Sequence, residues 1–291
     1  MIIDSFLLSE PHEKHLLFWK LNLEYNYVDE FIIQENAYDL KGKFKGLHAQ
    51  SILEDAIFQP FLPKITVISQ HNQIYTNIID ENTNFIREKW QRGLCTEYIV
   101  KKYSNQDKVI ISDVDEMFDF SNERLHRFEL LFSKGYRWFS RRRYWYSVNN
   151  ECQLPNIRIP VITINDIKHN KNILGEIRHF NDERLSYYNY NNPLAFEYSY
   201  VFYNWEDIQR KHQTYAHNDL DATKDVKLGL TINAWIRSKK RNESRTPYDF
   251  FELIELTEEN SPQYIRDNLN MINTNIINPK YKENRLIYDI T

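Results

Sequence analysis

The sequence predicts an α/β fold with a mostly parallel central sheet flanked by helices. The chain opens with a strand-like apolar run at residues 1–8, an amphipathic helical pattern at 10–23 and a second apolar run at 28–34, the order of a parallel β-α-β unit. In mid-chain, the buried-strand pattern within residues 108–118 ends at Asp113, Asp115 and Glu116. Because open α/β sheets bind ligands at the carboxyl ends of their strands, this second pattern also predicts the functional site.

The remaining elements follow from the same periodicities. Apolar, β-branched or aromatic runs predict strands at residues 62–68, 136–147, 157–164 and 196–203. Helical spacing of apolar residues predicts helices at 84–103, 122–132, 205–216 and 262–271. We expect one domain at residues 1–255, with residues 256–291 forming a C-terminal helical tail that packs on it.

The composition argues against several functional classes. A net charge of −4 is unfavourable for a general binder of nucleic acids or anionic membranes. The aromatic content of 15% suits sugar stacking, and it suits an aromatic core equally well. Cys95 and Cys152 have neither metal-ligand spacing nor a disulfide framework, which fits a reducing compartment. With no apolar stretch of about 18 residues and no secretory leader, we expect a cytoplasmic protein without a transmembrane segment.

The acidic residues after the mid-chain strand have the pattern of a metal site. If the backbone stays extended, Asp113 and Asp115 project to one side, so both carboxylates can reach one divalent cation. Mg²⁺ and Mn²⁺ favour such oxygen ligands, with substrate phosphates completing the coordination shell. An Asp-x-Asp pair alone is also typical of a solvated turn between a strand and a helix.

Three other stretches carry candidate ligand-binding groups. The loop at residues 41–46 contains Lys43 between glycines, and it is either a phosphate-binding loop or a solvated turn. Arg87 and Arg92 lie on the helix upstream of the acids, where they either bind a diphosphate or base or only add charge. The run at 136–147 mixes aromatics with four arginines, which favours phosphate or sugar contact, a solvated basic face or, less readily, single-stranded nucleic acid.

Several of these motifs, taken in order, resemble glycosyltransferase family 17, the family of the bisecting β-1,4-N-acetylglucosaminyltransferase III. The resemblance rests on residues 3–8 (IDSFLL), 28–36 (VDEFIIQEN), 42–45 (GKFK), 61–65 (FLPKI), 87–92 (REKWQR) and 109–116 (VIISDVDE). It continues more faintly through residues 198–200, Lys211 and His217, and so covers most of residues 1–220. Each motif alone is unspecific, and the resemblance rests on the order and spacing of all of them together.

The resemblance implies a GT-A-like nucleotide-binding fold and an inverting, metal-dependent glycosyltransferase. The donor would be a nucleoside-diphosphate sugar, most readily a UDP-sugar such as UDP-N-acetylglucosamine, with a glycan as acceptor and Mn²⁺ or Mg²⁺ as cofactor. Asp115 would bind the metal directly, Asp113 would contact the ribose or the metal, and Glu116 would orient the turn. The remaining donor-side positions would be Asp4, Glu35, Lys43, Arg87, Gln91, Arg92 and Lys211, and His217 would be a further metal ligand.

One position departs from the family pattern. The family usually has Gly-Trp-His-Phe-Ser-Tyr where this chain has residues 195–200 (AFEYSY), so Glu197 replaces a histidine. Glu197 and Asp219 are the candidates for the general base, since both follow the metal motif in the chain. Two other functions stay open: a metal-dependent phosphohydrolase, and an inactive module that binds a nucleotide sugar or a glycan. Because the sequence resembles this family but contains no membrane anchor, we expect an enzyme of a bacterium or virus.

Overall fold

The structure is a computed structural model, and it describes residues 1–73, 81–121, 123–145, 148, 150–152, 159–179, 183–187, 189, 192–199, 201, 205–214, 251–269 and 272. The strands are β1 (Ile2–Leu7), β2 (Glu30–Asn36), β3 (Ile65–Gln70), β4 (Lys108–Asp113), β5 (Glu116–Phe118), β6 (Trp138–Phe139), β7 (Arg141–Trp145), β8 (Asn150–Cys152), β9 (Ile159–Thr163), β10 (Ser186–Tyr187), β11 (Ala195–Ser199) and β12 (Phe251–Leu253). The α-helices are α1 (Lys14–Glu24), α2 (Ala49–Leu53), α3 (Glu81–Arg92), α4 (Thr96–Lys102), α5 (Arg124–Ser133), α6 (Ile164–His169), α7 (Ile173–Glu176), α8 (Trp205–Thr214) and α9 (Gln263–Asp267). Short 3-10 helices lie at Pro11–Glu13, Ala56–Lys64, Ile177–His179 and Glu183–Leu185.

The central sheet has the strand order β10-β6-β9-β4-β1-β2-β3. Its middle strands β4, β1, β2 and β3 are all parallel, whereas β9 runs antiparallel to both β4 and β6. The predicted α/β fold with a mostly parallel central sheet flanked by helices is therefore confirmed. A smaller second sheet has the order β12-β8-β7-β11-β5. Since β4 belongs to the first sheet and β5 to the second, the short turn between them joins the two.

Alternation along β1 divides its side chains between two apolar layers. Phe6 packs in a layer with α1, and Ile3 packs in the opposite layer with α4. The same period places Asp4 on the α1 side and Ser5 on the other side, where its hydroxyl contacts Cys95 at 3.3 Å. The polar residues of β1 are thus enclosed between the sheet and its helices, in a strand whose six residues are all buried.

Three predicted elements differ from the observed ones. The helix predicted at 84–103 is two helices, because the chain turns at Gly93 and the Cys95 N–H donates to the Gln34 side chain at 3.0 Å. The strand predicted at 62–68 begins only at Ile65, since the 3-10 helix Ala56–Lys64 occupies its first half. The run predicted as one strand at 136–147 is divided between β6 of the central sheet and β7 of the second sheet.

The C-terminal part of the chain is described only in pieces. Within residues 251–269 and 272, α9 lies inside the predicted helix at 262–271, and Ile265 and Ile272 lie in the same apolar layer as α1. The predicted division at residue 255 stays a prediction. Among the helices of the described part of the chain, none is both long and apolar enough to cross a membrane.

Candidate functional site

The acidic turn, residues 113–116, opens onto a cavity of about 470 Å³ at the carboxyl ends of β1 and β4. Among the described residues, charged side chains of both signs dominate its lining. The carboxylates come from Glu10, Glu13, Glu88, Asp113, Asp115, Glu116 and Glu197, and the cations from Arg92, Arg141, Arg143, Arg178 and Lys211. We call Asp113, Asp115, Glu116, Glu197 and these five cations the cavity cluster. The site therefore lies where the sheet topology predicts a ligand.

Asp113 ends β4 and is held by two arginines. Its Oδ1 lies 2.5 Å from the Arg92 guanidinium and its Oδ2 lies 2.9 Å from that of Arg178. Although burial acts in the opposite direction, Arg178 and Arg92 hold the pKa of Asp113 well below its usual range. The Asp113 carboxylate is therefore ionised at neutral pH, and both of its oxygens already have charged partners.

Glu116 fixes the shape of the turn. Its Oε2 accepts the Asp113 N–H at 2.9 Å, closing the turn over three residues. The Arg178 guanidinium donates to both Glu116 oxygens, at 2.5 and 2.8 Å, and Arg141 lies 2.6 Å from Oε1. Such a two-pronged arginine contact is geometrically specific. Arg178 thus bonds to Asp113 and Glu116 at once and orients these two acids relative to the cavity.

Glu197 lies in the middle of β11, opposite Glu116 on one side and Arg143 on the other. Its Oε2 accepts from Arg141 at 2.5 Å and from Arg143 at 2.9 Å, and its Oε1 contacts the Ser199 hydroxyl. Burial raises its pKa, but Arg141 and Arg143 outweigh that effect and lower the pKa to about 2. This geometry suits Glu197 for holding two arginines in place better than for accepting a proton at neutral pH.

Asp115 is the acid of the turn that faces the fewest cations. Lys211 of α8 lies 2.8 Å from its Oδ2, and the Ser199 hydroxyl lies at 3.5 Å. Burial raises the pKa of Asp115, and Glu197, Asp113 and Glu116 raise it further against the opposing effect of Lys211. Negative charge is therefore crowded around this carboxylate.

A divalent cation fits Asp115 better than it fits Asp113. Within the described residues, no group of three or more His, Cys, Asp or Glu side chains is arranged to hold a metal ion. Mg²⁺ characteristically uses one or two carboxylates together with substrate phosphates, so an all-protein cage is not required. Asp113 is committed to two arginines, whereas the carboxylates crowded around Asp115 give that point an affinity for added positive charge.

Two of the predicted donor-side residues are structural in this fold. Asp4 pairs with Lys20, whose Nζ lies 2.5 Å from the Asp4 Oδ2. Because the Asp4 side chain has no exposed surface, it cannot contact a donor sugar nucleotide. Glu35 accepts the N–H groups of His48 and Ala49, at 2.8 and 3.0 Å, and the Ser69 hydroxyl at 2.8 Å. It therefore caps the start of α2 instead of lining the cavity.

Three further predicted donor-side residues do not line the cavity, and they lie in or next to the hairpin at 38–46. Lys43 is exposed in this hairpin. Arg87 donates to the Leu40 carbonyl at 3.2 Å and passes under Gly42, whose φ of 83° needs glycine and where an added Cβ would lie 3.0 Å from the guanidinium. Gln91 is buried and borders, with Arg87, a separate hollow of about 10 Å³. Of the predicted donor-side residues, Arg92, Asp113 and Lys211 line the main cavity.

Two predicted site residues cannot be placed. The general-base candidate Asp219 and the metal-ligand candidate His217 lie outside the described residues. Their roles stay predictions.

The sequence put forward the run at 136–147 for phosphate or sugar contact without separating its residues, and it did not single out Arg178. Arg141 and Arg143 are two positions apart on β7 and so face one side, a signal present in the alternation of the sequence. Arg178 lies in a short 3-10 helix after α7, where no local pattern marks it. Trp145 also lines the cavity, 4.9 Å from the Arg143 guanidinium by ring centroid, and offers an aromatic surface to a ligand.

Glu13 is another cavity residue that the sequence did not single out. Its Oε2 accepts the N–H groups of Ser9 at 2.8 Å and Glu10 at 3.3 Å, so it takes part in a capping box before α1. Burial raises its pKa to about 7, and Asp115 adds to the effect, while Lys211 and the two backbone bonds oppose it. Among the cavity carboxyls described, Glu13 has a pKa suited to exchanging a proton near neutrality.

Comparison with known proteins adds little to this geometry. No family model matches the chain, and no curated protein matches it. Among solved structures, mannose-6-phosphate isomerase from Helicobacter pylori is similar over 60% of this chain and 77% of that chain, at 15% identity and a TM-score of 0.32. A likeness this weak carries no argument. The class defined here is therefore an α/β protein with a cavity of mixed charge at the carboxyl edge of its sheet.

Proposed function

We propose that this protein is a GT-A-like inverting glycosyltransferase that uses a nucleoside-diphosphate sugar. One observation carries the proposal: the carboxyl ends of β1 and β4 open onto a cavity of about 470 Å³ that is lined by seven carboxyl side chains and five cations. A diphosphate needs positive charge, whereas a sugar needs hydrogen-bonding groups and an apolar face. The same cavity supplies both, and its volume falls within the range of about 300–1,000 Å³ typical of small-molecule sites.

The cations provide the donor-binding side of this proposal. Lys211 and Arg143 reach the cavity from α8 and β7, and each forms an ion pair with a carboxylate, Asp115 and Glu197 respectively. A bound diphosphate would accept hydrogen bonds from these two cations in place of the carboxylates, since phosphate oxygens accept such bonds in the same geometry as carboxylate oxygens. Positive charge beside the leaving diphosphate stabilises the charge that develops as the glycosidic bond breaks.

The proposed cofactor is Mg²⁺ or Mn²⁺, held through Asp115 together with the diphosphate. When bound, such a cation neutralises negative charge on the leaving group. Asp115 would hold the cation beside the leaving group. Asp113 and Glu116, which both accept hydrogen bonds from Arg178, would fix the conformation of the turn. Crowding of carboxylates around Asp115 supports this assignment.

The acceptor hydroxyl needs a proton acceptor as its oxygen attacks the anomeric carbon and the bond to the diphosphate breaks. Glu13 is better suited to this task than Glu197, because its pKa of about 7 allows it to take up a proton near neutral pH. Glu197 has a pKa of about 2 and is committed to Arg141 and Arg143. Asp219 stays a candidate. The proposed acceptor is a glycan, the proposed donor is a UDP-sugar such as UDP-N-acetylglucosamine, and the proposed compartment is the cytoplasm.

The first experiment measures donor binding and consumption together. Thermal unfolding is followed with UDP-, GDP-, CMP- and dTDP-sugars, with and without Mn²⁺, because a ligand that binds only the native state raises the melting temperature. We expect one nucleotide class to raise it in a Mn²⁺-dependent manner. Transfer to an added glycan supports a transferase. Phosphate release from simple phosphoesters would instead support a phosphohydrolase, and binding without consumption would support an inactive module.

Asp115→Asn tests the role of the acidic turn. Asparagine keeps the shape but removes the charge, so we expect the Mn²⁺-dependent rise in melting temperature to be lost. Donor turnover should fall by about a hundredfold or more, as when one charge-stabilising group is removed. Asp107→Asn is the matched control, because Asp107 pairs with the N-terminal amine at 2.7 Å on the opposite edge of the sheet. Full turnover by Asp115→Asn would contradict the proposed site.

A further inference from the structure

Beneath the acidic turn lies a second ionic group, the buried triad Asp4, Lys20 and Glu24. All three side chains have no exposed surface. The Lys20 ammonium lies 2.5 Å from Asp4 Oδ2 and 3.3 Å from Glu24 Oε2, on the face of the sheet that α1 covers. Burying charged groups is costly unless each finds close partners, so a triad in the interior requires an explanation.

The triad bonds to the chain on both flanks of the acidic turn. Asp4 Oδ1 accepts the Ser112 hydroxyl at 2.7 Å, one residue before the turn. Lys20 Nζ donates to the Glu116 carbonyl at 2.6 Å, and Glu24 Oε1 accepts the Phe118 N–H at 2.6 Å, two residues after the turn. These three bonds connect α1 and β1 to both ends of the segment that carries Asp113 and Asp115.

We propose that Asp4, Lys20 and Glu24 are positioning residues, which set the geometry of the acidic turn from beneath, and that the triad is net neutral with a proton retained on Glu24. The charge count requires the proton: two carboxylates face one ammonium, and an uncompensated charge without solvent is strongly unfavourable. Burial also raises the pKa of Glu24 well above its usual range, against the effect of Lys20. The triad touches no ligand, so its effect on donor binding rests on the proposed function, whereas its effect on the turn does not.

Hydrogen exchange tests the positioning without any ligand. In the double variant Asp4→Asn/Lys20→Met, one charge of each sign is removed together, so no new unpaired charge is created. We expect the amides of residues 113–118 to exchange about tenfold faster, as a hydrogen bond to a charged group is lost, while β2 is unchanged. Glu24→Gln is the matched control, because glutamine mimics a protonated carboxyl, and its exchange should stay within about twofold of the wild type.

Two outcomes would overturn the proposal. In one, the double variant shows unchanged exchange at residues 113–118, so that the triad does not position the turn, or shows equal acceleration there and in β2, so that the triad only adds general stability. In the other, Glu24→Gln behaves like the double variant, so that Glu24 is an anion. Should the double variant not fold, Ser112→Ala removes only the bond to Asp4, and the same local acceleration decides the question.

Donor titration then separates this proposal from the proposed function. If the wild type binds a nucleotide sugar with Mn²⁺, the double variant should bind it about tenfold more weakly, whereas Glu24→Gln should match the wild type. A wild type that binds no donor would contradict the proposed function and leave the exchange result to decide the positioning. Unchanged affinity in a double variant with a loosened turn would exclude a role of the triad in donor binding.

Discussion

The buried triad and the cavity cluster are two ionic groups on opposite sides of one short turn. In the triad, the Lys20 ammonium is fully enclosed with Asp4 and Glu24. In the cavity cluster, Lys211 and Asp115 keep about a tenth of their side-chain surface exposed, on the wall of a cavity. The first group has no route to solvent, and the second faces a space that water or a ligand can enter.

The two groups differ in whether their charges are available to a ligand. A cation in the triad cannot exchange its partner, because leaving Asp4 would strand a charge in the apolar interior. A cation in the cavity cluster can exchange a carboxylate for a phosphate, since both partners stay solvated or paired during the exchange. Mutations that remove one charge from each group should therefore affect different properties.

The largest effect is expected for Lys20→Met. The substitution leaves Asp4 and Glu24 without their cation, and breaking a buried ion pair from one side costs about 3–5 kcal/mol. We expect urea denaturation to give a free energy of unfolding lower by this amount. Relative to this single variant, adding Asp4→Asn should recover part of the loss, because the stranded charge is removed with its partner.

Lys211→Met is the matched variant in the cavity cluster. Water that enters the cavity can solvate Asp115, so the free energy of unfolding should fall by only about 1 kcal/mol. The main effect should be weaker donor binding, measured as a smaller rise in melting temperature with the donor. If Lys211→Met destabilised the protein as much as Lys20→Met, the distinction between the two groups would not hold.

A pH-dependent effect, smaller than that of Lys20→Met, is expected for Glu197→Gln. The pKa of Glu197 is about 2 in the folded protein and near 4.5 in the unfolded chain. Its contribution is therefore present above pH 4.5 and lost as the pH falls towards 2, with a size on the order of 3 kcal/mol. Denaturation of the wild type and the variant should differ most at pH 6–7, and the difference should shrink by about pH 3. A pH-independent difference would contradict the two-arginine partnership.

Glu13→Gln is expected to change the pH dependence of stability with the opposite sign. Burial raises the folded pKa of Glu13 from 4.5 to about 7, so its contribution to stability is full below pH 4.5 and is lost as the pH rises through 7. Glutamine does not ionise, so the variant should gain on the order of 2–3 kcal/mol of stability relative to the wild type as the pH rises from 5 to 8. Because Glu13 is the proposed proton acceptor, we also expect turnover to fall by about a hundredfold or more and to lose its dependence on a group that titrates near pH 7. A variant whose relative stability does not change over this range would place Glu13 in a more polar environment.

The first strand–helix–strand unit was predictable because each of its elements carries a complete local signal. The runs at 1–8 and 28–34 correspond to β1 and β2, and the acids after β4 do line a cavity. The break at Gly93 and the division of 136–147 between two sheets were not predicted, because each depends on contacts with distant residues. For the same reason Asp4 was predicted to face a donor, since the sequence does not show that α1 places Lys20 over it.

The sequence by itself determined the strand–helix alternation and the acidic turn at the end of a buried strand, because apolar periodicity and backbone sterics act over a few residues. Only the tertiary structure decided which charges meet. Arg178 is 65 residues from Asp113, and Arg141 is 56 residues from Glu197, yet each pair is in contact. Electrostatic partnership depends on distance in space and on exclusion of water, and neither quantity is encoded in local spacing.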